Sequence, residues 1–187
     1  WSVDLIRKAA LAYARDEKTA KEVGDFVKVT SDMAFGLPYD KAAYSFDAKK
    51  KFGINVSSLL WDDNTRGRFG LSIDYKAFYR SLITYLIETG EYQVHIIPHV
   101  IDNKNYEAAE NDYRVCCELE KEFKGHVILA PAFETAIQAK SYISNMDVFL
   151  GSRMHSTIGA ISSGVATIPL SYAYKFEALY SHINYPY

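Results

Sequence analysis

Short apolar runs and longer amphipathic stretches alternate along most of this chain. The runs are "FGINVSSLLW", "YQVHIIPHV", "HVILAP", "DVFLG" and "ATIPLSY". Continuous apolar runs of this length suit strands that are covered on both faces. Between the first two, residues 74–89 put Tyr75, Phe78, Tyr79, Leu82, Ile83 and Leu86 on one helical face, and Gly90 closes it. Residues 105–124 carry Tyr106, Ala109, Tyr113, Cys116, Leu119 and Phe123 on one stripe. Helices over 134–145, over 155–163 and from about 175 to 183 complete the series. Strand and helix in strict alternation predict an α/β fold with a doubly wound, parallel, Rossmann-like sheet.

The first quarter of the chain reads differently. Val3, Ile6, Ala10 and Tyr13 predict a helix over 2–15, and a short helix over 18–23 ends at Gly24. "FVKVTSDMAF" reads as a strand leading into a turn. "GLPYDKAAYSFDAKKK" has the Gly, Pro and Lys content of a linker. The pattern becomes regular near residue 50, which divides the chain into units 1–46 and 47–187. The abrupt start in a helix and the stop at "HINYPY" lead us to expect a fragment.

Composition narrows the function. Lys plus Arg is 21 and Asp plus Glu is 23, so no basic surface for nucleic acid is expected. A hydrophobic fraction of 49% supports a real core. The 15 Tyr and 10 Phe suit sheet packing first and sugar stacking second. Cys116 and Cys117 are adjacent within a helical pattern, which predicts two reduced thiols and a cytosolic protein. No CxxC or HExxH spacing suggests a metal site, and no apolar run is long enough to span a membrane.

In open parallel sheets, ligands bind outside the carboxyl ends of the strands. That rule sorts the polar residues. His126 begins its strand and reads as structural, and His95 lies mid-strand, packed or at an edge. His99 ends its strand after Pro98 and points toward the crevice. Asn55, Ser57 and Ser58 end the first strand, where turn and cap roles compete with binding. Arg153, His155, Ser156 and Thr157 end the fourth, and Lys175 follows the fifth. A helix start offers free N–H groups and partial positive charge, which suit phosphate or carboxylate. Ser156 or Thr157 could cap that helix and donate to an anion. Arg153 offers a planar fork for an anion, and His155 a proton near neutral pH. The ordinary alternatives are a surface ion pair at Arg153, a capping His155 and a solvated Lys175.

"DVFLGSRMHSTIGAISSGVATIPLSYAYKF" resembles the signature of the polysaccharide pyruvyl transferase family: an aspartate, an apolar strand, G-x-R-x-H, a small-residue helix ending in Gly, a strand, and Y-x-x-K-F. Here these are Asp147, Gly151, Arg153, His155, Gly164, Tyr172 and Lys175. "ARDEKTAKEVG" and "VKVTSDMAFGLP" resemble the family's R-D/E-x-x-S/T and D-x-A-F-x-L segments, and "GINVSSLLW" and "HIIPHV" its first two strands of the second domain. The family has two facing Rossmann-like domains, similar to GT-B glycosyltransferases. By that resemblance, 1–46 is the end of the acceptor-side domain and its linker, and 47–187 is the donor-binding domain. The Gly-rich opening of the family's first domain has no counterpart here.

The resemblance implies pyruvate transfer from phosphoenolpyruvate to two hydroxyls of a saccharide or lipid-linked glycan. A cyclic ketal forms and phosphate is released, with no metal or organic cofactor. Arg153 would bind the donor, His155 would be donor ligand or acid, and His99 is the other candidate acid. Ser156, Thr157, Asn55, Ser57 and Lys175 would help bind substrate. The implied setting is cytoplasmic or at the inner face of the membrane, beside polysaccharide-synthesis machinery. Two rivals stand. One is a GT-B-like glycosyltransferase using a nucleotide sugar, with Glu134 as the candidate for the ribose. The other is a truncated glycan-binding domain without catalysis.

Overall fold

The computed structural model of the protein describes residues 2–47, 49–62 and 67–185, with the side chain of Arg68 left aside. Residues 63–66, between the first apolar run and the stretch 74–89, lie outside the described residues.

The regular part of the chain builds a five-stranded sheet. Its strands are β3 (Lys50–Asn55), β4 (Tyr92–Ile96), β5 (Val127–Leu129), β6 (Val148–Gly151) and β7 (Ala166–Pro169), after a short pair, β1 (Tyr13–Ala14) and β2 (Lys28–Val29), near the start. The sheet order is β5-β4-β3-β6-β7, with every pair parallel. The chain order therefore reverses between β3 and β6. Such a switch point opens a crevice at the carboxyl ends of the two strands, here beside Asn55 and Gly151.

Each helix forms where a cap and an apolar face coincide. The helices are α1 (Ser2–Ile6), α2 (Glu17–Val23), α3 (Ser58–Trp61), α4 (Tyr75–Thr89), α5 (Asp112–Glu122), α6 (Ala136–Ile143), α7 (Met154–Ser162) and α8 (Tyr174–His182). Asp74 caps α4 through the Ala77 N–H, and Gly90 ends it in the left-handed conformation. Thr135 and Gln138 make a capping box on α6. Adjacent residues of β6 point to opposite faces. Leu150 joins the core formed with α4 and α5, whereas Phe149 joins the core formed with α6 and α7. Both cores are fully buried at their centres, with Tyr79, Ile83, Ile54, Ile143 and Phe149 wholly inaccessible or nearly so.

Three expected elements differ. The helix over 2–15 stops at Ile6: Ile6, Ala10 and Tyr13, which were to carry its apolar stripe, are all exposed. Most helical stability comes from packing such a face. Tyr13 and Ala14 instead pair with Lys28 and Val29. The helix over 105–124 begins only at Asp112. Asn111 diverts the preceding backbone by donating to the carbonyls of Asp102, Asn105 and Tyr106 while capping at Tyr113 N–H. The first apolar run is a strand only to Asn55, after which Ser58–Trp61 turns helical.

The linker-like segment docks on the sheet. Tyr44 and Phe46 pack edge-on against Tyr142, each with ring centroids 5.0 Å away. The Asp40 N–H donates to Ser141 Oγ, and Asn145 Nδ2 donates to the Lys41 carbonyl. Residues 40–46 are thereby held against α6.

Candidate active site

The turn from β6 into α7 lies at the switch point. Gly151 is required there by space alone: a Cβ would meet Phe149 Cε1 and Thr157 Cγ2 at 2.7 Å. Asn55, at the end of β3, locks the turn. Its Nδ2 donates to the Ile97 carbonyl, and its Oδ1 accepts from the Arg153 N–H and from Ser156 Oγ. Ser156 also donates to the Arg153 carbonyl, and Thr157 to that of Met154. Asn55, Ser156 and Thr157 are fully buried. The expectation that Ser156 or Thr157 caps α7 is corrected: Arg153 holds the cap position with no side-chain cap, because both hydroxyls turn back to carbonyls. Below the turn, Ser152 Oγ lies 2.7 Å from the hydroxyls of both Tyr75 and Tyr79, and Tyr79 also donates to the Asn55 carbonyl.

Arg153 is buried, with 8% of its surface accessible. Its Nε and Nη2 grip the Asp112 carboxylate, the shortest contact being 2.7 Å. The same carboxylate accepts from the N–H groups of Ser58 and Val100. One buried acid thus ties the carboxyl ends of β3, β4 and β6 together. Burial works against the guanidinium charge, but Asp112 outweighs it and raises the Arg153 pKa. Tyr172 lies against the same guanidinium.

In front of this anchor is a cavity of about 520 Å³. His155, His99 and Lys140 line it, with Met33, Leu37 and Gly159 among its apolar walls. His155 stands open, with 54% of its side chain accessible, and its Nε2 lies 3.7 Å from Asp32 Oδ2. His99 has a buried Nδ1 with no hydrogen-bond partner. Burial depresses its pKa to about 4, Asp112 opposes this, and the charges of His155 and Arg153 reinforce it. His99 is therefore neutral at pH 7. Lys140 reaches the carbonyls of Ala34, Phe35 and Leu37 with its Nζ, the last at 2.7 Å, and burial lowers its pKa.

The structure brings His155 and His99 to one cavity, while Arg153, turned to Asp112, is buried behind it and is not among the lining residues. Ser57 is buried nearby, its N–H donating to Tyr75 and its Oγ unpartnered. Lys175 is exposed on α8 and does not line the cavity. His95 is packed, with its ring nitrogens facing Tyr142 and Gln93, and His126 is exposed ahead of β5. Glu134 is exposed before α6. Both cysteines are free thiols, Cys116 buried. Sequence reasoning did not single out Asp112 or Lys140, and met Asp32 only as the aspartate of the D-x-A-F-x-L segment. Asp112 carried a signal, since "ND" before an amphipathic stretch marks a helix start; Lys140, inside α6, carried none.

A model of the family described as polysaccharide pyruvyl transferase matches residues 3–174. The chain belongs to the polysaccharide pyruvyl transferase family. It is accordingly a transferase that acts on a glycan. No curated protein sequence matches it. Among the described residues, no helix is long and apolar enough to cross a membrane, and no group of three His, Cys, Asp or Glu side chains could hold a metal ion.

Proposed function

We propose that this pyruvyl transferase takes its pyruvate from phosphoenolpyruvate and closes it as a cyclic ketal on two hydroxyls of one glycan sugar. The observation that supports this most is that His155 and His99 line one cavity, with Arg153 held beside it on Asp112.

In this reading the donor's C3 methylene takes a proton and becomes a methyl group, and the first sugar hydroxyl bonds to C2. Phosphate leaves with the C2–O bond, and the second hydroxyl closes the ketal. Of the two hydroxyl protons lost, one replaces the proton given to C3 and one goes to phosphate, so the reaction closes without metal or organic cofactor. His155, open to the cavity, both binds the donor and passes it the proton. His99, neutral at pH 7, is a hydrogen-bonding partner for the donor. Arg153 contributes positive charge for the leaving phosphate from its seat on Asp112. Asn55, Ser57, Ser156 and Thr157 support substrate binding by holding the turn, and Lys175 sits at the outer edge. Residues 1–46 form the acceptor-side end and 47–187 the donor-binding domain. The acceptor is a saccharide or lipid-linked glycan of exopolysaccharide or cell-envelope synthesis, met in the cytoplasm or at the inner membrane face.

The test is a mass-spectrometric search for transfer products on a panel of aryl glycosides, with phosphoenolpyruvate or nucleotide sugars as donors. A carboxyethylidene adduct that depends on phosphoenolpyruvate and matches released phosphate is the expected result. Glycosyl transfer from a nucleotide sugar would overturn the reading.

A further inference from the structure

His155 meets a residue from the first segment of the chain directly, at the edge of the cavity. Asp32 is 9% accessible and precedes the short turn Met33–Gly36. Its two oxygens are divided between tasks. Oδ1 accepts from the Ala34 N–H at 3.0 Å and fixes the turn. Oδ2 accepts from Arg15 Nη1 at 2.9 Å and lies 3.7 Å from His155 Nε2. Burial pushes this carboxyl upward, but the Ala34 N–H, Arg15 and His155 together hold it below its ordinary value. Asp32 is thus an anion in place beside the imidazole. The turn that carries it is itself clamped, because Lys140 gathers the carbonyls of Ala34, Phe35 and Leu37.

We propose that Asp32 is the positioning residue for His155, a carboxylate supplied by the first segment of the chain that orients the imidazole of the second. This rests on the proton-donor role argued for His155. An imidazole that gives up a proton must be aimed, and a carboxylate on one ring nitrogen leaves the other to face the reacting atom. At 3.7 Å the two groups are neighbours but the contact is too long for a formed hydrogen bond. Contacts of this kind close up when the substrate is bound. The other charged groups around the imidazole are cationic or neutral: Arg153 beside it on α7, Arg15 beyond Asp32, and His99 and Lys140 on the cavity wall. Asp32 is therefore the acid that faces His155 directly, and Asp112 lies behind Arg153. The consequence is that the two ends of the chain share one catalytic device. A proton donor seated on α7 is complete only with residues 32–37 docked.

The test is nuclear magnetic resonance of the His155 ring in the whole chain at fixed pH, assigned with His155→Gln. Asp32→Asn keeps the shape and the acceptor for the Ala34 N–H. In that variant the His155 ring signals are expected to move and to broaden as the imidazole loses its orientation. Asp16→Asn is the control. Asp16 caps α2 in the same segment through Thr19, so its loss should leave the ring signals where they were. Unchanged ring signals in Asp32→Asn, or an equal change in both variants, would overturn the proposal. Phosphoenolpyruvate binding, measured in parallel, reports on the donor. Its absence in the unaltered chain would contradict the proposed function and leave the Asp32–His155 pairing standing.

Discussion

Arg153 and His155 are two residues apart but should answer mutation differently. Arg153 neutralises a fully buried carboxylate. Arg153→Ala leaves Asp112 buried and unpaired, which costs about 3–5 kcal/mol of stability. A urea melt should show that loss, so inactivity in this variant would report on folding as well as chemistry. His155 is half open, and the one buried group it meets, Asp32, keeps Arg15 and the Ala34 N–H as partners. His155→Ala should keep the unfolding free energy within about 0.5 kcal/mol and abolish transfer. A stable, active His155→Ala would remove it from the mechanism. His95 makes a pH prediction. Burial, aided by Lys51, lowers its pKa to about 4. The unfolded chain takes up a proton near pH 6.5 that the folded chain refuses, so this stability is full above about 6.5 and drains away as pH falls toward 4. Melting temperatures from pH 8 to pH 4 should fall in that window, and less steeply in His95→Gln.

At the scale of elements, the glycines of the signature separate into two kinds. Gly151→Ala drives a methyl group into Phe149 and Thr157, and should cost about 1–3 kcal/mol by overpacking. Gly159 lies inside α7, where an added Cβ meets only Lys140 Cγ at 3.8 Å. Gly159→Ala should gain up to about 1 kcal/mol of helix stability while placing a methyl group in the cavity wall. Denaturation and donor-binding assays on the two variants should therefore move in opposite senses for Gly159 and together for Gly151. The same scale shows what the sequence made legible. The alternation of apolar runs and amphipathic stretches located all five strands of the main sheet, because burial on both faces leaves a strong signal. It over-read residues 2–15, where helical spacing exists without a surface to bury it. It began α5 early, because Asn111's hold on the loop before it is a side-chain effect that periodicity cannot carry. Arg153 and His155 were legible as polar residues placed at a strand end. Their partners were not, since Asp112 and Asp32 meet them only through the fold.

For the whole molecule, the question is how the first 47 residues are kept on the sheet. Lys140 is the main polar tie, with three carbonyls of one turn on one ammonium group. Lys140→Met retains the length and loses the donors, at about 1–3 kcal/mol for the carbonyls left behind. Amide exchange should quicken over residues 33–37 while the amides of β3 and β6 stay protected. Uniform quickening would mean that Lys140 supports the whole core instead. The aromatic packing of Tyr44 and Phe46 on Tyr142 should keep the rest of the segment docked. The central claim concerns the cavity between these parts, and calorimetric titration with phosphoenolpyruvate at pH 7 tests it most directly. The unaltered protein should bind the donor, and His155→Ala, equally stable, should lose that heat. No binding by the unaltered protein, or undiminished binding by His155→Ala, would contradict a donor site at the turn from β6 into α7.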